Sequence, residues 1–297
     1  MMINYSFIIP HKNTPTLLQR CLDSIPQRDD VEIIVVDNNS SSDIVDFSHY
    51  PGSNRAIILR DNNSVGPGGA RNTGLKIAKG KWVLFADADD YYSVGFLDIL
   101  DRYILSDVDV VYFNLNMIKD GHVMDFPLSL RYLNNYDPED PTFAQMIKLR
   151  FPGPVNKMTK REFLLHYNIR FKDCVIGEDG VFSFQVGFHS NYSLLLESKI
   201  YNCTINPNSI TNKVDNNGDY YKCLFRQKYQ YNEFYKYVNH REWELSVIKG
   251  FLSIIYKKGF RQFLLAMGVF ISNRKSFIKD KMEIVDIIKN QGDLGVI

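Results

Sequence analysis

Three carboxylates, Asp87, Asp89 and Asp90, fall within four residues directly after the apolar run WVLFA at residues 82–86. Such a run reads as a buried strand. Residues two apart on a strand point the same way, so Asp87 and Asp89 are expected to converge if strand geometry persists that far. Two carboxylates in one crevice repel each other, and burial makes ionisation costlier still. A hard divalent cation relieves both problems, because magnesium and manganese take oxygen ligands and sit between carboxylates and a substrate's phosphates. The plainer reading is a turn before a helix, with Asp90 or Ser93 as its N-cap. For Asp87 and Asp89 together, ending an apolar strand, the metal reading is preferred.

Positioning such groups requires a sheet. Residues 5–10 (YSFIIP) read as a first buried strand, followed by a helix over residues 15–25 whose Leu17, Leu18, Cys21, Leu22 and Ile25 keep helical spacing. Residues 31–36 (VEIIVV) form a second strand, ending in the turn-rich DNNSSSD at 37–43. Residues 56–59 make a third strand; the glycine-rich 63–69 is expected as a loop, then a helix over 70–78 and the strand 81–86. Apolar strands alternating with helices predict a parallel sheet covered on both faces. Ligands sit at the carboxyl ends of such strands, where Asp37 and the Asp87–Asp90 cluster both fall. After residue 106 the alternation stops. Residues 108–117 read as a strand turning through KDGH into a returning one, 127–141 as a surface loop, and the chain from 220 onward as helical and aromatic. No internal repeat is present.

The 297 residues can bury a sizeable core, and a net charge of +1 gives no reason to expect nucleic acid as partner. The four cysteines show no CxxC pair and no zinc-like grouping with histidine, which points to free thiols in a reducing compartment. The start of the chain reads as a strand, not a signal peptide, and the apolar run 263–271 is too short to span a bilayer. A cytoplasmic location is expected.

The ordered set SFIIPHKN, EIIVVDNNSSSD, NSVGPGGARNTGLKIAKGKWVLFADADDYY and IGEDGVFSF resembles the family 2 glycosyltransferases over residues 6–211. The resemblance implies an α/β GT-A fold: a Rossmann-like nucleotide-binding sheet with helices on both faces, here with a C-terminal helical extension. It implies inverting transfer from a nucleotide-sugar and a bacterial surface-polysaccharide setting. By it, Pro10 lines the nucleotide pocket, Asp37 contacts the base, normally uracil, and Arg71 faces the nucleotide. Asp87 holds the ribose side and Asp89 the metal, Mn2+ or Mg2+, on the diphosphate. Two positions depart from the pattern. Asn38 stands where many members have a second aspartate, still giving the pair an acceptor and a donor. Val155 stands where a tryptophan often precedes the Asn-Lys pair, here Asn156 and Lys157.

Inverting transfer needs a base to take the acceptor hydroxyl's proton. The resemblance implies Asp179 of IGEDG, and adjacent Glu178 would raise its neighbour's pKa if both were buried. Spacing alone favours an exposed acidic turn before a helix; the upstream motifs favour the base. His166 and His189 lie in no spacing that argues for catalysis and read as structural or surface residues. Residues 249–281 hold eight basic residues against one acid, interleaved with Phe251, Ile254, Ile255, Tyr256, Phe260, Phe263, Leu264 and Phe270. That pattern suits peripheral contact with an anionic membrane at its inner face; the plainer reading, that the apolar face packs on the catalytic domain or on a second subunit with the lysines solvated, is preferred.

The expected division is a nucleotide-sugar half (1–110), an acceptor half (111–215) and a helical region (216–297). The expected activity is metal-dependent, inverting hexosyl or N-acetylhexosaminyl transfer from a nucleotide-sugar, UDP-linked by the family pattern, to a glycan or lipid-linked glycan acceptor. One rival, a sugar-phosphate nucleotidyltransferase, would want a glycine- and arginine-rich loop after the first strand, and PHKNTPTLLQR has no glycine there. The other, a non-catalytic nucleotide-sugar binder, leaves Asp179 without a purpose.

Overall fold

The computed structural model describes residues 2–64, 66–124, 141–150, 153–172, 174, 177–205 and 217–292. These divide into two compact units, residues 1–206 and 207–297. The expected loop at 127–141 lies outside the described residues except for its last position, where a helix begins.

The first unit is built on β1 (Tyr5–His11), β2 (Val31–Asp37), β3 (Ile57–Arg60) and β4 (Trp82–Phe85), with α1 (Pro15–Ser24) and α2 (Gly66–Ile77) between them. β5 (Tyr91–Tyr92), α3 (Phe96–Asp101), β6 (Val110–Lys119), β7 (His122–Met124) and α4 (Pro141–Arg150) follow. β8 (Lys157–Lys160), α5 (Arg161–His166), α6 (Glu178–His189) and β9 (Ser193–Thr204) complete it. The sheet order is β3-β2-β1-β4-β8-β6-β9-β5, with β7 paired to β6. β3, β2, β1 and β4 are mutually parallel, β8 runs antiparallel to β4 and β6, and β9 is parallel to β6. The sheet is therefore parallel in its first half and mixed in its second.

The near-continuous apolar runs follow from burial on both faces. Tyr5, Phe7, Ile9, Ile33, Val35, Trp82 and Leu84 enter one core with Leu18, Cys21 and Leu22 of α1. The alternate residues Ile8, Ile34, Val36, Val83 and Phe85 enter a second core with Ala70 and Leu75 of α2 and Phe182 and Val186 of α6. Period-two alternation thus splits each strand between two helical layers. The β6–β7 hairpin turns at Asp120 (φ 50°) and Gly121 (φ 79°), the left-handed pair a two-residue hairpin requires.

The second unit holds α7 (Asp219–Tyr237), α8 (Val247–Lys258), α9 (Phe260–Lys279) and α10 (Glu283–Gly292). Its core gathers Tyr221, Phe225, Ile254, Ala266 and Phe277. The Tyr221 hydroxyl donates to Gln262 Oε1 at 2.7 Å, which satisfies its polar end inside that core. None of the four cysteines is in a disulfide; Cys21 is buried and the others half-buried.

Candidate active site

The acidic turn is not a continuation of the strand. β4 ends at Phe85, and the Asp90 amide donates to the Asp87 carbonyl at 3.0 Å. A tight turn, not strand alternation, brings the three aspartates together. Their nearest carboxylate oxygens lie within 4.8 Å of one another, with Asp87 and Asp89 half-exposed and Asp90 buried. Asp90 is not a helix cap: α3 is capped by Gly95, with no side-chain bond, and Ser93 donates to the Lys199 carbonyl. Asp90 instead accepts from the Tyr201 hydroxyl at 2.9 Å and the Thr204 amide at 2.7 Å. Burial first, then the charges of Asp87 and Asp89, push its carboxyl well above the usual range. The Tyr201 oxygen also accepts from the Asp87 amide at 2.9 Å. From α1, Arg20 donates to the Asp89 carbonyl and, at 3.0 Å, to Thr204 Oγ1. The turn is thus fastened to β9 on one side and α1 on the other. Neither Tyr201 nor Arg20 carries a motif that would have marked it in the sequence.

The GPGG stretch expected as a loop is the first turn of α2. Only Gly66 (φ 75°) needs the left-handed region. Gly68 is there for proximity: a Cβ on it would stand 2.6 Å from the Lys172 carbonyl oxygen and 2.7 Å from Glu178 Cγ. That closeness lets Arg71, one turn further on, reach the start of α6.

Arg71 is 3% exposed at its side chain and bonds three carboxylates. Its Nη2 donates to Asp87 Oδ1 at 2.6 Å; its Nη1 donates to Asp179 Oδ1 at 2.8 Å and to Glu178 Oε1 at 3.4 Å. The guanidinium lies 5.1 Å from the centre of the Phe171 ring, which stacks on Phe182 at 4.0 Å. One buried cation therefore joins the end of β4 to the start of α6. With three carboxylates on one guanidinium, charge is in excess. Glu178, buried, is pushed up to about 7 by desolvation and by Asp179. Asp179 keeps an open edge (41% of its side chain). Its pKa is raised by burial, against the pull of Arg71 and Lys157. Lys157, on β8, is itself fully enclosed and lowered to about 7 by desolvation; it donates to Ser183 Oγ at 3.0 Å, one helical turn beyond Asp179.

At the other strand ends, Pro10 is buried on β1 opposite Val36, and His11 stands opposite Asp37. His11 Nδ1 lies 3.0 Å from Asp37 Oδ1, and the Ser40 hydroxyl also donates to that oxygen. Burial lowers the His11 pKa, partly opposed by Asp37. The Asn38 amide nitrogen is committed to the loop after β3, donating to the Asp61 carbonyl at 3.0 Å and the Ser64 carbonyl at 3.1 Å. Beside them lies a cavity of about 380 Å³ lined by Asn13, Asp37, Ser40, Arg60 and Asn62 among others. His189 stacks on Tyr167 at 4.5 Å and His166 is exposed.

The glycosyl transferase family 2 model matches residues 6–167, more than half of the chain, and the protein belongs to that family. Among curated relatives, a poly(ribitol-phosphate) beta-glucosyltransferase of Bacillus spizizenii is 33% identical over 186 residues, 60% of this chain and 28% of that protein. A GalNAc(5)-diNAcBac-PP-undecaprenol beta-1,3-glucosyltransferase of Campylobacter jejuni is 34% identical over 127 residues, 41% of each chain. The chain thus spans less than half the length of either relative. The crystal structure of S. aureus TarS residues 1–349 in complex with UDP-GlcNAc matches with a TM-score of 0.65 at 20% identity, covering 98% of this chain and 91% of that one. The fold is GT-A. Among the described residues no helix is long and apolar enough to cross a membrane.

Proposed function

We propose that the protein transfers a hexosyl or N-acetylhexosaminyl group, with inversion, from a UDP-sugar to a hydroxyl of a glycan or lipid-linked glycan acceptor in surface-polysaccharide synthesis. The observation that carries this reading is the single buried guanidinium of Arg71, held between the acidic turn and Asp179. Because it bonds Asp87 and Asp179 at once, it supports a reading in which a diphosphate side and a proton-accepting side lie next to each other, as a direct displacement requires. The names of the relatives, one acting on a ribitol-phosphate polymer and one on an undecaprenol-linked glycan, support the acceptor class.

The oxygen-rich donor set at the turn fits Mg2+ or Mn2+. Asp89 and Asp87 would hold the ion, since both keep exposed carboxylate surface, whereas both Asp90 oxygens are already bonded to β9. The ion, when bound, neutralises charge on the departing diphosphate. Asp37 and the cavity beside it support a site for the uracil, although Pro10 and Asn38 are not among the residues lining that cavity; Arg71 orders Asp87 and Asp179. Asp179 accepts the acceptor's proton as that oxygen bonds to the sugar C1 and the C1–diphosphate bond breaks. Its raised pKa makes it a better base than an ordinary carboxylate.

Asp179→Asn keeps size and hydrogen-bonding capacity but removes the proton acceptor. Transfer is expected to fall by about 10²–10⁴-fold, with UDP affinity in the presence of manganese within a few-fold of wild type. Near wild-type transfer would move the base elsewhere, Glu178 first. A nucleotide-sugar panel, hydrolysed with and without manganese, identifies the donor. Pyrophosphate-dependent nucleotide exchange in that assay would favour the nucleotidyltransferase instead, and binding without turnover of any member would favour a binding protein.

A further inference from the structure

Residues 217–292 present more apolar surface than their own core consumes. The inward side of α9 gives Ala266 and Phe277 to the core, with Ile254 from α8. A second stripe on α9 is turned to solvent: Phe260 is 63% exposed, Leu264 54%, Ile271 67% and Ile278 45%. At 100° per residue these four fall within about 40° of one another, along about 27 Å of helix. Immediately before it, α8 exposes Ile248, Leu252 and Tyr256.

The surroundings of this stripe are basic. Arg274 lies on one side of it by helical spacing, and Lys275, Arg261 and Lys279 lie on the other, all exposed. Within residues 249–281 the lone acid, Asp280, is 3.5 Å from Arg226 Nε and so offers little opposing charge to a partner.

We propose that the exposed stripe of α9, with its basic borders, docks on an anionic lipid bilayer, lying along the boundary between headgroups and acyl chains. An apolar strip edged with Arg and Lys fits a surface that is acidic outside and apolar within. A second copy of the chain fits poorly, because apposing the same face would set basic border against basic border. This inference rests on surface chemistry alone and stands apart from the sugar-transfer reading.

The test uses the full chain and sedimented vesicles, either phosphatidylglycerol with phosphatidylcholine or phosphatidylcholine alone. Capture is expected on the anionic vesicles at low salt, falling at least tenfold in 0.5 M salt. Arg274→Gln with Lys275→Gln should weaken capture by roughly tenfold or more. Leu264→Glu with Ile271→Glu should abolish it while leaving the melting profile and UDP binding unchanged, because both side chains face solvent. Equal capture on phosphatidylcholine alone, or none on anionic vesicles at low salt, would overturn the proposal. A dimer in sedimentation velocity that the glutamate pair dissolves, without vesicle capture, would assign the face to a second copy.

Discussion

Lys157 shows how a residue with no obvious role in a sequence acquires one by burial. Its ammonium is enclosed on β8 and carries charge only below about pH 7. In that range it helps hold the Asp179 carboxyl down. Removing it in Lys157→Met should let Asp179 rise further, so that more of it is protonated on the acid side. The acid limb of kcat/KM is therefore expected to move to higher pH, with activity roughly three- to tenfold lower at pH 6 and less affected at pH 8. Lys157→Arg, which keeps the charge, should leave the limb near its original position. An unshifted limb in Lys157→Met would show that the ammonium does not act on the proposed base. The motifs singled out Asp87, Glu178 and Asp179, which the structure gathers around Arg71. The sequence could not show the partners that set their protonation: those of Arg71 lie 16, 107 and 108 residues away, and His11 meets Asp37 only through the register of two parallel strands.

At the scale of elements, β1, β2 and β4 were readable because each is an apolar run ended by polar turn residues, and the β6–β7 hairpin because Asp-Gly has one common use. The start of α2 was not, since glycines in series ordinarily signal a loop. Here they serve the approach of two helices, a requirement that a one-dimensional pattern does not carry. The consequence is measurable. Gly68→Ala would drive a methyl into the Lys172 carbonyl and the Glu178 side chain, and backbone on one side cannot yield cheaply. A loss of about 1–3 kcal/mol in urea unfolding is expected. Transfer should fall well beyond what that loss explains, because α2 carries Arg71 and α6 carries Asp179. Wild-type transfer in Gly68→Ala would show that the spacing of α2 and α6 is not limiting.

On the scale of the whole molecule, the sequence order of the site and its spatial order disagree. The acidic turn is complete by residue 90, and Arg20 and Arg71 precede it, yet two of the groups that fasten it, Tyr201 and Thr204, come more than a hundred residues later. β5, which leads directly out of the turn, pairs with β9 and with no other described strand. Contacts so distant along the chain form late, because loop closure must precede them. A chain emerging from the ribosome therefore displays its aspartates long before it can organise them, and the last strand of the unit acts as the moment of commissioning. In refolding, recovery of manganese-dependent UDP binding should not precede protection of the β6–β9 amides from hydrogen exchange. Binding that returns first would mean the turn assembles unaided. If it does not, the protein stays idle during its own synthesis, and the proposed use of a nucleotide-sugar begins only once the first unit has closed.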